Sequence, residues 1–251
     1  MNTGEWIKAL GIPKDAVIDK NFPKKMLYQN AALSSSQKEL IQNGIRRLRW
    51  LGSIKESNTN VLKYEDDNYR YEEVQYFFLE VNSQDMARKI SKLLFDFMPY
   101  PQFLIVTFEE EFQFQMALTR KNSADANSLV VEKMYTSQWK SIASATIREE
   151  LIQYHYSTQK MINLKAYYES LLAVLLRNKL SFSKGKTYEN AEKIIQTFDK
   201  VQELEIKIEK LIKLVKSEKQ LNKRIELQMQ LTQLKNYQKN LLSATEEIEH
   251  V

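Results

Sequence analysis

Two kinds of residue could do chemistry in this sequence: carboxylates in pairs and triplets, and lysines and arginines in short basic runs. The acidic clusters are Asp66-Asp67, Glu72-Glu73 and Glu109-Glu110-Glu111. Carboxylates alone can hold magnesium for phosphodiester hydrolysis, commonly with a lysine beside them. A restriction-type nuclease would need an acid on one strand and Glu-x-Lys or Asp-x-Lys on the next. The one such tripeptide here is Glu205-Ile206-Lys207, in a stretch with helical periodicity. Each acidic cluster also ends an alternating apolar run, which is where a soluble turn is expected. The residues therefore point away from catalysis, with a metal-dependent nuclease as the alternative.

Cysteine, histidine and glycine offer less. Cys is absent, which removes disulfides, thiolate metal sites and a Cys nucleophile, and fits a reducing compartment. The histidines are His155 and His250, the second one residue from the C-terminus. A lone histidine in Gln153-Tyr154-His155-Tyr156 reads as a packing or surface residue. Phosphate-cradling loops need closely spaced glycines so that backbone amides can approach the phosphates. The five glycines are Gly4, Gly11, Gly44, Gly52 and Gly185, too scattered for a P-loop or a dinucleotide-binding turn. No cofactor and no metal is expected.

The basic residues are unevenly spread, within a net charge of +5 over 251 residues. Residues 1–60 carry ten basic against five acidic residues, residues 61–140 nine against thirteen, and residues 141–251 eighteen against fourteen. Lys24, Lys25, Arg46, Arg47, Arg49 and Lys55 are expected to share one basic face that contacts DNA phosphates, a contact that requires cations but no particular fold.

A folded frame must position these groups. The composition, 43% hydrophobic and 27% charged, is that of a globular chain, and the scarcity of Gly and Pro favours long helices. A helical turn spans residues 4–10, and an irregular stretch punctuated by Pro13 and Pro23 follows. The serines at 34–36, with Glu39 three residues beyond Ser36, predict a helix N-terminus. Ile41, Ile45 and Leu48 carry that helix to about Leu51, where Gly52 stops it and Arg46, Arg47 and Arg49 occupy its last turns. From Val74 to Val81 the pattern is apolar on nearly both faces and predicts a covered strand. Residues 84–98 return to helical spacing through Met86, Ile90, Leu93, Leu94 and Phe97. Residues 103–108 form a second strand, so strand, helix and strand make a parallel crossover. Residues 112–118 should pair antiparallel with it, residues 129–134 add a further strand, and 61–64 with 69–71 a hairpin.

The last hundred residues read as helical: Ile162, Leu164, Tyr168, Leu171, Leu172 and Leu175 suit one packed helix, and residues 181–186 form a linker around Gly185. Val201, Leu204, Ile208, Leu211 and Val215 recur at heptad spacing. The phase breaks at residues 218–222 before Leu227, Leu231, Leu234 and Leu241 resume it, which implies either a stutter in one rod or the bend of a helical hairpin. The expected fold is α+β: a mixed β-sheet with packed helices, followed by a long C-terminal helical hairpin or coiled coil. The expected domains are an α/β domain over 1–140, a helical connector over 141–186 and the coiled coil or hairpin over 187–251. The longest aliphatic run, residues 171–176, is too short to span a membrane, and the first ten residues lack a signal-peptide pattern, so a cytoplasmic protein is expected.

Several segments, in this order, resemble a bacterial domain-of-unknown-function family, DUF family 4391. They are Lys20-Asn21-Phe22-Pro23-Lys24-Lys25 with Tyr28; Ile45-Arg46-Arg47-Leu48-Arg49-Trp50-Leu51; Lys55 with Asn58-Thr59-Asn60-Val61; Glu72-Glu73-Val74 with Pro99-Tyr100-Pro101; Tyr168-Glu169-Ser170-Leu171; and residues 218–227. The resemblance implies a genomic setting beside DNA methyltransferase and helicase genes in restriction-like phage-defence islands, and it carries no catalytic residues. The expectation is a non-catalytic accessory subunit that contacts duplex DNA and docks a helicase or methyltransferase of the same operon. The alternatives are a metal-dependent nuclease or a structural homo-oligomer. The elbow at 218–226, with Gln220, Asn222 and Arg224, is the expected partner-binding surface, because Glu218 and Asn222 are costly inside a dry helical seam.

Overall fold

The computed structural model describes residues 1–30, 33–180 and 191–247 and divides into two compact units, Met1–Leu175 and Leu176–Val251. The first unit opens with helix α1 (Thr3–Ala9), whose Asn2 and Glu5 form a capping box, strand β1 (Val17–Asn21), α2 (Lys24–Asn30) and α3 (Ser35–Gly44). Strand β2 (Ile45–Lys55), the short α4 (Glu56–Thr59) and a small hairpin of β3 (Tyr64–Glu65) and β4 (Arg70–Tyr71) follow. Then come β5 (Glu73–Val81), α5 (Gln84–Phe97), β6 (Gln102–Phe108), β7 (Glu111–Asn122), β8 (Asp125–Thr136) and β9 (Lys140–Ser141). Helix α6 (Ile147–Leu151) and the greater part of α7 (Leu164–Leu180) close the series.

Apart from the β3–β4 hairpin, the strands form one mixed sheet in the order β1-β2-β5-β6-β7-β8, with β9 on β7. The β5 and β6 strands are parallel, as the crossover through α5 requires, and the other pairs are antiparallel. Helices cover both faces, which is why β5 is buried along nearly its whole length. On one face Leu27 of α2, Ile41 of α3 and Ile90, Leu94 and Phe95 of α5 pack on Leu48, Phe77, Leu79, Leu104 and Val106. On the other face Trp6 meets Phe112 and Phe114 edge-on, Tyr154 packs on Phe103 and Phe114, and Tyr76 and Tyr167 share a hydroxyl hydrogen bond. Tyr168 of α7 ties β6 to β7: its hydroxyl lies 2.9 Å from the Gln102 carbonyl and 2.8 Å from the Ala117 carbonyl, and it accepts the Ala117 N–H at 3.1 Å.

The first basic segment departs from its predicted helix. Only residues 35–44 are helical, capped by Ser34 with Gln37 in a reciprocal box, not by Ser36 with Glu39. Residues 45–55 are strand, so Arg46, Arg47 and Arg49 are strand residues. The cause is two register shifts, between Ile45 and Arg47 and between Trp50 and Gly52. They break the period-two alternation, leaving buried residues at Ile45, Leu48 and Leu51, a spacing of three that imitates a helix. Gly52 is no helix stop: a Cβ there would sit 2.7 Å from the Ala16 carbonyl oxygen, so glycine lets β1 and its preceding turn close on β2. The stretch around Pro13 and Pro23, expected to be irregular, contributes β1 and α2. Ile162 lies outside α7 and is exposed.

In the second unit α8 (Ala191–Ser217) and α9 (Leu221–Glu247) form a helical hairpin, so the break in heptad phase is a bend. Val201, Leu204, Ile208 and Leu231 are buried in it. The linker over 181–186 lies outside the described residues.

Candidate functional site

The structure divides the six basic candidates between the two faces of the sheet. Leu48 and Trp50 face the core that α2, α3 and α5 cover, so by strand alternation Arg47 and Arg49 face the other side. Arg46 joins them at the bulge, pairing with Glu80 at 3.1 Å, a carboxylate it shares with Arg47 at 3.7 Å. Lys55 sits opposite Glu73 in the register that aligns Trp50 with Phe77 and Ser53 with Gln75, which places it on the α5 face. Lys24 and Lys25 open α2, which packs on that same face. The single basic face is therefore corrected to two groups: Arg46, Arg47 and Arg49 on one side, Lys24, Lys25 and Lys55 on the other.

Several of these charges are locally balanced. Arg49 donates from Nε and Nη2 to Asp19 Oδ1 at 3.0 and 2.8 Å and from Nη2 to the Asp19 carbonyl at 2.6 Å, holding Asp19 at a φ of 42°. Lys55 Nζ lies 2.7 Å from Glu73, which also accepts from the Ser53 hydroxyl at 3.2 Å. Lys24 Nζ donates to the Gln42 carbonyl at 3.0 Å, and burial lowers its pKa. Lys25 is exposed. The carboxylates a nuclease would draw on also have local roles. Asp66 accepts from the Tyr64 hydroxyl and from the Asn68 and Tyr69 N–H groups, bonds that hold its carboxyl below the usual range, and Glu111 accepts from Gln84. His155 caps a short turn through Ser157 and packs against Gly11.

Between α2 and the end of α5 the α5 face opens into a cleft of about 160 Å³. Its walls are aromatic: Trp50 lies over Phe77 at 6.3 Å and 16° between planes, Phe22 meets Phe77 edge-on at 5.7 Å, and Tyr100 stands at the rim, half exposed. Its polar lining is Glu73, Gln75 and Gln102. The glutamines are 5% and 1% exposed and sit side by side in the parallel register of β5 and β6. The Trp50 indole N–H donates to Gln75 Oε1 at 2.6 Å, and Gln102 Nε2 donates to the Met98 carbonyl. The sequence pattern alone does not single out the two glutamines. Their signal is a glutamine in each of two otherwise largely apolar strands.

At the bend of the hairpin Gln220 lies in the loop and Asn222 and Arg224 in the first turn of α9, all exposed. The Gln220 N–H donates to Glu218 at 2.8 Å, and the Arg224 N–H to the Gln220 carbonyl at 2.9 Å. The structure adds an apolar element that the elbow was not expected to carry: Leu221, Ile225 and Met229, four residues apart on α9, are each more than half exposed.

The model of a family described as a domain of unknown function, DUF4391, matches residues 10–241. The chain belongs to the DUF4391 family. No curated protein and no solved structure matches it. In this DUF4391 protein four of the segments that carry the resemblance converge on the cleft, supplying Phe22, Trp50, Glu73 and Tyr100 from places far apart in the chain. None of the helices in the described residues is long and apolar enough to cross a membrane.

The Arg49–Asp19 geometry makes Arg49 a structural residue. Arg49→Ala should lower unfolding free energy by about 1–2 kcal/mol, the scale of charge-assisted hydrogen bonds at a partly exposed site, whereas Lys25→Ala should leave it unchanged. Urea melts of the two variants check this, and equal midpoints would remove the structural role.

Proposed function

We infer that the protein is a non-catalytic accessory subunit of a bacterial DNA-processing, restriction-like phage-defence complex. It contacts a DNA strand on the α5 face of its sheet and docks a helicase or methyltransferase of the same operon through the tip of its hairpin. The observation that carries the reading is an open aromatic cleft on the same face as Lys24 and Lys25, with Lys55 held to Glu73 at its edge. Proteins that hold nucleic acid combine these two features, because cations follow the phosphates while aromatic faces take the bases. The genomic setting comes from the family resemblance.

The hairpin supports the second half of the reading. Its bend offers hydrogen-bonding groups at Gln220, Asn222 and Arg224 beside the exposed apolar side chains of Leu221 and Ile225. An apolar centre rimmed by polar groups is what a helix-docking surface requires. The arginines on the opposite face of the sheet spend much of their charge on Glu80 and Asp19, so they are assigned a lesser part in phosphate contact.

Fluorescence anisotropy of the full chain on duplex and single-stranded DNA at several salt concentrations tests the DNA contact. Replacing Lys24 and Lys25 by Gln should lower the salt slope by roughly one unit per lost phosphate contact, and the Arg46→Gln, Arg47→Gln pair should lower it less. An effect confined to the arginine pair would move the contact to the other face. Changing Gln220, Asn222 and Arg224 together to Ala should leave folding intact by circular dichroism and abolish co-purification of the co-expressed helicase or methyltransferase; retention at the wild-type yield would return the tip to a structural role.

A further inference from the structure

We propose that the cleft between Trp50, Phe22 and Tyr100 takes a single unstacked nucleobase of a DNA strand, with Gln75 and Gln102 bonding its edge. The proposal deepens the DNA-contact reading and rests on it.

Size limits the occupant first. A cavity of about 160 Å³ is close to the ~150 Å³ that accommodates one benzene ring, and well below the roughly 300–1,000 Å³ of a pocket for a drug-sized or dinucleotide ligand. One flat aromatic group the size of a nucleobase fits, entering from the open side past Tyr100.

The floor then selects among flat rings. The indole N–H of Trp50 is a donor only, so its bond at 2.6 Å must engage the carbonyl oxygen of Gln75, leaving the Gln75 amide nitrogen free. Gln102 is held in the opposite sense: its amide nitrogen donates to the Met98 carbonyl, which leaves its side-chain oxygen free. Among the described residues neither free atom has a hydrogen-bond partner, and neither is sealed in the core. Both free atoms open onto the cleft, so a ligand there can take the place of the water they face. The two glutamines stand in register on adjacent parallel strands and present a donor beside an acceptor. Every nucleobase carries an acceptor next to a donor on one edge, and glutamine amides bond such edges. A tyrosine hydroxyl of a docking protein also donates and accepts, but from a single atom, whereas a base edge spans both amides with two neighbouring atoms. Lys24 and Lys25, two and three residues beyond Phe22, favour a base that arrives attached to its phosphates over a free nucleoside.

The test compares, with the full chain, a fluorescent single-stranded DNA and an abasic tetrahydrofuran chain of the same length. The abasic chain should bind at least tenfold more weakly, since stacking one base on an aromatic side chain contributes on the order of ten- to a hundredfold. Tyr100→Ala, at the exposed rim, and Gln75→Met should each bring the natural strand to the abasic level without changing the abasic affinity. In parallel, adenosine and cytidine should shift the Trp50 indole N–H resonance of ¹⁵N-labelled protein, and p-cresol should not. Equal affinity for the natural and abasic chains would overturn the base slot and leave the phosphate contact standing. A shift with p-cresol alone would make the cleft a reader of protein side chains and overturn it too. A nucleoside shift without binding of either chain would support the slot and count against the phosphate contact.

Discussion

The hydrogen bond from the Trp50 indole to Gln75 is the constraint on which the candidate site depends. Tryptophan has one polar atom and it can only donate, so the glutamine has no choice of orientation. At 2.6 Å and with Gln75 nearly buried, the bond fixes the amide plane, positions the indole over Phe77, and leaves the amide nitrogen without a partner among the described residues. Remove the indole donor and the amide could turn, which would erase the distinction between a donor at Gln75 and an acceptor at Gln102.

That bond exists because of how the sheet is assembled. Trp50 faces Phe77 across antiparallel β2 and β5, while Gln75 faces Gln102 across parallel β5 and β6. The central strand thus presents its first residues to two different neighbours at once. The bulge after Trp50 returns Ser53 and Lys55 to the same face as Gln75 and Glu73, which closes the Lys55–Glu73 pair at the edge of the cleft. The covering helices stop short here: α5 ends at Phe97, and Pro99-Tyr100-Pro101 leads the chain into β6. On the opposite face, where Trp6, Tyr154 and α7 cover the sheet, the same strands are sealed by aromatic contacts and by the Tyr168 hydroxyl.

Much of this frame was legible in the sequence, and the exceptions have physical causes. The covered strand at β5, the helix α5 and the parallel return to β6 follow from local periodicity, which long-range pairing only reinforced. Strand β2 was hidden because its bulges set buried residues three apart, and only pairing to β1 and β5 decides against a helix there. Lys25, Arg46 and Arg47 are exposed cations, but the carboxylates that balance the three arginines lie 30 or more residues away at Asp19 and Glu80, and no local pattern reveals that balance. The glutamines were visible as polar intrusions in apolar strands. Their meaning depends on a register joining residues 75 and 102 and on an indole at residue 50, and that arrangement exists only in three dimensions.

The central claim is that nucleic acid lies in the aromatic cleft, and photo-crosslinking addresses it most directly. Single-stranded DNA bearing iodouracil, irradiated with the full chain and mapped by peptide fragmentation, should attach to Trp50 or Tyr100 and lose that attachment when Lys24 and Lys25 are replaced by Gln. Crosslinks confined to aromatic residues that do not line the cleft would contradict the account.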